Sequence, residues 1–349
     1  MKTITIIGSG QMGSALAFPA RENGNEVRLV GTHLDREIID TCRATNRHPK
    51  FEYDFPEGVS FYQFEDVDEA IKGADFIICG VSSFGVEWFG SEVMPRIPEE
   101  TPIISVTKGL QNLPDGSLIP YPEVWRRMLA EHGLKRNLNA IGGPCTSYEL
   151  VFHDQTEVSY CGEDMDTLKM IRSAMATDYY HISLTRDVMG VESAVALKNA
   201  YALGVALTVG LNQKAHGIDS KLHYNSQAAV FGQATREMAK SLAIQGADDL
   251  NNLCVGVGDL YVTVYGGRTR LIGTLLGRGL SIDEALAQLQ GVTLESLVVS
   301  KRVAEAFRVK ASKGEIDLAD FPLLCHIDDI ISNGAPVDIP WEKFTYVDE

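Results

Sequence analysis

One lysine interrupts a long apolar stretch of this sequence. Lys198 is the only charged residue between Glu192 and Lys214, and it stands in the run Ala-Leu-Lys-Asn-Ala-Tyr-Ala. A helix that is apolar on nearly all sides is buried, and burial lowers the pKa of a lysine towards the range that suits proton transfer. We therefore predict that Lys198 is a general acid or base. A structural ion pair, or a lysine that reaches solvent, is the alternative.

A lone acid and a basic segment follow further along the chain. Asp259 lies in an apolar, glycine-rich segment that we interpret as a turn, where it could also serve as a helix N-cap. Thr263 would share a helical face with it. The segment 266–270 then places Arg268 and Arg270 on a predicted flexible turn before another helical segment. Arginine forks and a helix start both bind phosphate, so this is a candidate phosphate site, with a solvated basic turn as the alternative.

A glycine-rich turn stands near the N-terminus, between an apolar run at 3–7 and a predicted helix at 11–23. It consists of Gly8, Ser9, Gly10, Gln11, Met12 and Gly13. In this pattern the first glycine permits a tight turn, the second lets the backbone approach a pyrophosphate, and the third allows close packing of helix on strand. The start of the helix offers free N–H groups to the phosphates. The sequence therefore predicts a dinucleotide-binding site.

The choice between NAD and NADP depends on the end of the next predicted strand. An acidic residue at its tip would bind the ribose hydroxyls of NAD, and no carboxylate stands at the tip itself. His33 and Arg36 could contact the 2′-phosphate of NADP, whereas Asp35 would favour NAD. Both cofactors stay open, with a slight lean towards NADP; a solvated loop is the alternative.

Two other residues follow predicted strands at the edge of the sheet where ligands bind in α/β proteins. Lys108 stands in Thr-Lys-Gly after the predicted strand 103–106. Phe84 follows the predicted strand 76–80 and could contact a cofactor ring or pack in the core. For Lys108, an ordinary surface lysine is the alternative.

The elements that position these residues fall into two regions. Up to about residue 188, short apolar strands alternate with helical patterns, which predicts a parallel, doubly wound α/β sheet of the Rossmann type. The predicted strands are 3–7, 26–31, 59–61, 76–80, 103–106 and 139–141, with 156–161 and 179–184 as two further candidates. Beyond 188 the pattern is helical, at 190–212, 222–245, 249–264, 281–289, 292–312 and 320–332, with turns at glycines 256, 258, 266, 267 and 273. We predict a dinucleotide-binding domain at 1–188 and an all-α catalytic domain at 189–349.

Composition excludes several classes of protein. The chain has 349 residues and a formal net charge of −16 without a basic run, which argues against nucleic-acid binding. Its six cysteines are scattered, so we expect reduced thiols in a cytoplasmic protein and no metal site. The N-terminus begins a strand at once and shows no signal peptide. Because Lys198 interrupts the apolar stretch 193–213, we predict a buried helix and no membrane insertion.

Taken in order, these segments resemble the NAD(P)-dependent glycerol-3-phosphate dehydrogenase family over essentially the whole chain. The glycine-rich turn is similar to the family's fingerprint, and the other matching segments are 81–83, 107–109, 143–149, 197–199, 225–229, 256–263 and 267–270. The resemblance implies hydride exchange between a nicotinamide and dihydroxyacetone phosphate or sn-glycerol 3-phosphate, in phospholipid biosynthesis. It also implies a homodimer.

The resemblance assigns roles to individual residues. Lys198 would be the general acid and base, with Asp259 and Lys108 beside the reacting oxygen. The substrate would contact Asn199, Thr263, Arg268 and Thr269. Besides the glycine-rich turn, His33 and Arg36, the implied cofactor contacts are Phe84, Lys108, Ser147, Arg268 and Glu295.

The sequence departs from the family pattern in several places. Thr269 replaces a usual asparagine at the substrate phosphate, although a threonine can cap a helix, and Gln227 replaces a usual cation. Ser83 follows Ser82 instead of a proline, and 291–295 differs in form. The segment 212–224 is long, so we interpret it as lining or covering the substrate pocket. Two alternatives therefore stay open: a dehydrogenase for a larger phosphorylated polyol or ketose, and a catalytically silent NAD(P)H sensor.

Overall fold

The structure is a computed structural model, and it describes residues 1–292 and 294–344. The chain forms two compact units, of which the first comprises Met1–Lys108 and Pro120–Glu192 and the second Gly109–Ile119 and Ser193–Glu349. The division after Glu192 lies a few residues beyond the predicted boundary at 188. The assignment of 109–119 to the second unit was not predicted.

The first unit contains an eight-stranded sheet in the order β3-β2-β1-β4-β5-β8-β9-β10. The strands are β1 Thr3–Ile7, β2 Glu26–Val30, β3 Val59–Tyr62, β4 Phe76–Cys79, β5 Ile103–Ser105, β8 Leu138–Gly142, β9 Thr156–Gly162 and β10 Tyr180–Thr185. Neighbouring strands are parallel except β8 and β9, which are antiparallel. The predicted Rossmann-type α/β fold is confirmed, and the prediction of a wholly parallel sheet is wrong at this one pair. The connection from β8 to β9 has only a five-residue helix, whereas parallel crossovers usually carry a longer one.

The helices of this unit are mostly short. They are α1 Gln11–Ala15, α2 Ala17–Glu22, α3 Arg36–Thr45, α4 Val67–Ile71, α5 Val86–Trp88, α6 Tyr121–Glu131, α7 Ser147–Val151 and α8 Met165–Met175. The single helix predicted at 11–23 is divided into α1 and α2. Pro19 explains the break, because it has no N–H to donate to the carbonyl of Ala15.

Strand register brings three glycines to the carboxyl edge of the sheet. Ile7 is paired with Val30 on one side and with Cys79 on the other. The next residue of each strand, Gly8, Gly31 and Gly80, therefore lies at the same edge, where α/β proteins bind ligands. The Gly8 N–H donates to the Val30 carbonyl at 2.9 Å, which fixes the start of the glycine-rich turn.

The second unit is built from helices and one short hairpin. Its helices are α9 Val188–His216, which begins in the first unit, α10 Tyr224–Ile244, α11 Leu250–Tyr265, α12 Gly267–Gly277, α13 Ile282–Gln288, α14 Glu295–Ser312 and α15 Pro322–Asn333. The hairpin strands, β6 Leu110–Asn112 and β7 Leu118–Pro120, escaped the sequence analysis because each has only three residues. Arg302 of α14 donates to the Leu110 carbonyl at 3.0 Å and holds the hairpin against that helix.

Helix α9 is the centre of this unit. Residues 191–210 are all buried, as the apolar pattern predicts. By length and composition alone α9 could cross a membrane, but 94% of its most apolar window is buried inside the protein. That degree of burial is typical of a core helix.

The glycines predicted as turns mostly have another role. Gly256 and Gly258 lie inside α11 and Gly273 lies inside α12, so these predictions are wrong. A Cβ on Gly256 would lie 2.8 Å from Ala194 Cβ, and one on Gly273 only 2.5 Å from Ala206 Cβ. These positions therefore let α11 and α12 approach α9 closely. Gly266 separates α11 from α12, and Gly267 is the first residue of α12 with a φ of +80°.

A buried carboxyl group joins α10 to the start of α15. Glu237 accepts the backbone N–H groups of Leu323 at 2.8 Å and Leu324 at 3.0 Å. Burial raises its pKa to about 7. We expect Glu237→Ala to lower the free energy of unfolding by about 2–3 kcal/mol, because two buried N–H donors lose their acceptor. Urea denaturation measures this, and Glu237→Gln, which keeps one acceptor, should lose clearly less. Equal losses in both variants would contradict the role assigned to the hydrogen bonds.

Candidate active site

The glycine-rich turn has the geometry of a pyrophosphate cradle. Gly8 has a φ of +110°, and a Cβ there would lie 2.7 Å from the Gly80 carbonyl carbon. A Cβ on Gly13 would lie 2.2 Å from Gly8 O, so close packing demands glycine at both positions. A Cβ on Gly10 would meet nothing within 4 Å. The protein itself therefore leaves the space above Gly10 open, as a bound pyrophosphate requires.

Two side chains support this turn: His48, which the sequence analysis missed, and Asp35, which it named only for the choice of cofactor. His48 is buried, and its Nε2 bonds to the Ser9 carbonyl at 3.1 Å while its Nδ1 accepts the Lys50 N–H at 3.1 Å. Burial lowers the pKa of His48, which favours this neutral form. Asp35 Oδ2 accepts the Ser9 N–H at 3.2 Å. Ser9 is therefore buried, whereas Gly10, Gln11 and Met12 keep exposed surface. No local pattern distinguishes His48 from any other histidine in the sequence.

The residues predicted to choose the cofactor lie beyond β2. Asp35 Oδ2 also accepts from the Thr32 N–H and hydroxyl, each at 2.9 Å, so it holds the loop together. Arg36 forms an exposed ion pair with Glu65. His33 is exposed, and its ring lies 5.4 Å from that of Trp88. His33 and Arg36 therefore both lie exposed beyond the end of β2.

Other predicted cofactor contacts lie on neighbouring loops of the first unit. Lys108 Nζ donates to the Gly143 carbonyl at 3.2 Å, so the loops after β5 and β8 meet. Phe84 is 64% exposed, which excludes the alternative that it packs in the core. Ser147 is the first residue of α7, directly after the N-cap Thr146.

Helices α9 and α11 place Lys198, the predicted catalytic lysine, next to Asp259. Lys198 Nζ lies 2.9 Å from Asp259 Oδ1 and donates to Thr263 Oγ1 at 2.7 Å. Thr263 in turn donates to the Asp259 carbonyl at 2.7 Å. The Lys198 side chain is 11% exposed and that of Asp259 is 2% exposed. The ammonium group is thus placed rigidly, with a small opening towards solvent.

Two local interpretations are corrected here. Asp259 and Thr263 lie inside α11, so Asp259 is neither a turn residue nor an N-cap. Arg268 and Thr269 lie in the first turn of α12, whose N-cap is Gly266, so the predicted flexible turn is helical and Thr269 is not a cap. Gly266 supplies no side-chain cap, so the first N–H groups of α12 are available beside Arg268.

The remaining predicted residues lie on other elements. Asn199 lies on α9 and is 7% exposed. Glu295 is the first residue of α14, and of the divergent segment 291–295 only residue 293 lies outside the described residues. The segment 212–224 begins as the last part of α9, which ends at His216. Asn212 of that helix donates to the Lys221 carbonyl at 3.0 Å, which ties the following loop to α9.

A buried carboxyl group near Lys108 was also missed. Glu192 is completely buried, and neither carboxyl oxygen has a hydrogen-bond partner among residues 1–292 and 294–344. Burial raises the pKa of Glu192 to about 8, and the charge of Lys108 opposes that rise. The group is therefore largely protonated in the folded protein at neutral pH.

The raised pKa of Glu192 predicts a pH-dependent effect of Glu192→Gln. Because the folded pKa of about 8 exceeds the ordinary value of 4.5, its contribution to stability is complete below pH 4.5 and is lost as the pH rises to 8. The variant should match the parent in urea denaturation at about pH 5 and exceed it by a few kcal/mol at about pH 9. The exposed Glu157→Gln is the control. A variant that is less stable at both pH values would show that the carboxylate is needed in its ionised form.

Among residues 1–292 and 294–344, no three histidine, cysteine or acidic side chains are grouped closely enough to hold a metal ion. The doubly wound sheet, the glycine cradle and the buried Lys198–Asp259 pair define a two-unit dinucleotide-binding protein of the oxidoreductase class. Comparisons with known proteins refine this description. Residues 3–168 match the N-terminal region and residues 187–342 the C-terminal region of the family described as NAD-dependent glycerol-3-phosphate dehydrogenase.

Individual relatives agree with this assignment. The NADP(+)-dependent glycerol-3-phosphate dehydrogenase of Archaeoglobus fulgidus is 32% identical over 337 residues, which is 96% of each chain. The glycerol-3-phosphate dehydrogenase [NAD(P)+] of Bacillus velezensis is 26% identical over 98% of this chain and 94% of its own. The glycerol-3-phosphate dehydrogenase of Coxiella burnetii shares the fold, with a TM-score of 0.78 and 23% identity over 98% of this chain and 97% of that one. The chain belongs to the NAD-dependent glycerol-3-phosphate dehydrogenase family.

Proposed function

We propose that this protein interconverts dihydroxyacetone phosphate and sn-glycerol 3-phosphate with a nicotinamide cofactor. The observation that carries this proposal is the buried cluster of Lys198, Asp259 and Thr263. Its lysine Nζ lies within hydrogen-bond distance of both partners, and the lysine side chain is 11% exposed. A buried ammonium group held by a carboxylate is a suitable proton donor for an alkoxide. A silent sensor would have no use for it.

Each residue of the cluster has a separate task. When bound, the cofactor supplies or accepts the hydride at the substrate carbon. Lys198 Nζ gives a proton to the oxygen that becomes the hydroxyl group, and accepts it in the reverse direction. Asp259 offsets the cost of burying the ammonium group and holds it in place. Thr263 accepts a second hydrogen bond from Nζ and so fixes its orientation. Lys108, on the first unit, contributes a second cation beside the reacting oxygen.

The start of α12 is proposed to bind the substrate phosphate. Arg268 is exposed in the first turn of this helix, and Thr269 follows it. The uncapped N–H groups add donors to the guanidinium fork. Asn199, next to the catalytic lysine on α9, completes the substrate contacts.

The cofactor is proposed to lie along residues 1–188, with the substrate and the catalytic lysine held by 189–349. The open space over Gly10 fits a pyrophosphate. NADP is favoured over NAD, because Arg36 and His33 are exposed beyond β2 while one oxygen of Asp35 is engaged by the loop. The Archaeoglobus fulgidus relative is likewise named as NADP(+)-dependent. Phe84, Lys108, Ser147, Arg268 and Glu295 complete the proposed cofactor contacts.

A spectrophotometric assay tests the reaction. Dihydroxyacetone phosphate is supplied with NADPH or NADH in separate runs, and loss of reduced nicotinamide is followed. Turnover that is faster with NADPH supports both parts of the proposal, whereas faster turnover with NADH overturns the cofactor choice only. Longer phosphorylated ketoses form a third arm, because Thr269 and Gln227 replace an asparagine and a cation of the family pattern. Faster turnover with these compounds would replace the proposed substrate by a larger one.

Assembly and location are part of the same proposal. By analogy with its family we propose a cytoplasmic homodimer that supplies glycerol phosphate for phospholipids. Sedimentation equilibrium distinguishes a dimer from a monomer, and a monomer active at the same concentration would contradict this point.

A further inference from the structure

A cavity of about 350 Å³ lies in the second unit between α9, α12 and the end of α13. Arg270, Arg278, Gln213 and Gln288 supply its polar lining, and Val209 and Leu275 are among its apolar lining residues. None of Lys198, Asp259, Thr263 or Arg268 lines it. Its volume falls in the range of small-molecule sites.

Helix α12 turns different faces to this cavity and to the proposed phosphate site. Arg270, Thr274 and Arg278 are spaced by four residues, so they share one face of the helix and line the cavity together. Arg268 precedes Arg270 by two residues, which places it about 200° away around the helix axis. The cavity arginines are therefore directed away from Arg268.

Both cavity arginines donate hydrogen bonds to neutral acceptors. Arg278 Nε donates to Gln213 Oε1 at 2.7 Å, and Arg270 donates to the Val264 carbonyl. Within residues 1–292 and 294–344, neither guanidinium forms an ion pair with a carboxylate. In a chain of net charge −16, this is a local concentration of positive charge.

We propose that this cavity binds a phosphate monoester with a short aliphatic body. Two guanidinium groups suit a doubly charged phosphate better than a singly charged carboxylate, and arginine forks match its oxygens. The aliphatic wall, which includes Val209 and Leu275, gives the body of the ligand a surface to pack against. The site is separate from the proposed catalytic cluster and does not depend on the reaction assigned to it.

Calorimetric titration with hexyl phosphate tests the proposal. We expect saturable binding to the parent protein, and inorganic phosphate and hexanoate should each bind at least about tenfold more weakly. Arg278→Gln and Arg270→Gln should each weaken hexyl phosphate binding about tenfold or more. Arg268→Gln reports on ligand bound at the proposed active site, and it should keep the hexyl phosphate binding that Arg278→Gln loses. Arg126→Gln is an exposed control in the first unit and should bind as the parent does.

Three results would overturn the proposal. One is no saturable binding to the parent up to about 10 mM ligand. A second is binding that Arg268→Gln abolishes and Arg278→Gln leaves intact, which would place the ligand at the active site. A third is hexanoate binding as tightly as hexyl phosphate. Unfolding curves of every variant show whether a loss of binding reflects loss of structure, and two independent arginine variants guard against a single misfolded protein.

Discussion

Lys198→Ala is expected to lower kcat by about a thousandfold, while the affinity for the cofactor stays unchanged. The lysine Nζ contacts both Asp259 and Thr263, and its removal takes the proposed proton donor away from the substrate oxygen. Lys198 is not among the proposed cofactor contacts, which the substitution leaves intact. Steady-state kinetics with a parallel titration of NADPH measures both quantities.

Asp259→Asn provides a second test of the same cluster. It keeps the shape of the side chain and leaves the Lys198 ammonium group without its carboxylate partner. We expect a loss of about 3–5 kcal/mol in the free energy of unfolding, as well as lower activity. The double variant Lys198→Met with Asp259→Asn should recover part of this stability, because no charge is then left buried. A single Lys198→Ala variant that retains full turnover would favour the alternative of a silent sensor or another proton donor.

The sequence was sufficient to predict that Lys198 is buried. A single charge in a stretch that is apolar on all sides must be buried, and a buried charge needs a partner. The glycine-rich turn was equally informative, because few roles other than dinucleotide binding place such a turn between a strand and a helix. Both features are local, so they can be recognised without knowing how distant segments pack.

Other features depend on contacts that no local pattern reveals. Gly256 and Gly273 look like turn residues, but the close approach of α11 and α12 to α9 decides their role. His48 supports the carbonyl of Ser9 across thirty-nine positions of sequence, and only the fold brings the two together. Strand pairing also escaped local reasoning where β9 returns antiparallel to β8. The roles of Asn199, Thr269 and Glu295 remain predictions from the family resemblance.

Gly10→Ala and Gly13→Ala form a matched pair with opposite expected effects. A Cβ on Gly10 meets nothing within 4 Å, so Gly10→Ala should fold normally. The added methyl group would occupy the space proposed for the pyrophosphate, and we expect the Kd for NADPH to rise about tenfold or more. The thermal midpoint and the fluorescence of bound NADPH measure the two effects separately.

Gly13→Ala should instead act first on the stability of the fold. Its Cβ would lie 2.2 Å from the Gly8 carbonyl oxygen, and that oxygen belongs to the backbone, which cannot move aside cheaply. We expect a loss of about 3 kcal/mol in the free energy of unfolding, with weaker cofactor binding as a consequence. If Gly10→Ala instead destabilised the fold and left the Kd unchanged, the open space above the turn would not be the cofactor site. Since the two substitutions add the same methyl group only three residues apart, their difference isolates what the turn does for the ligand from what it does for the fold.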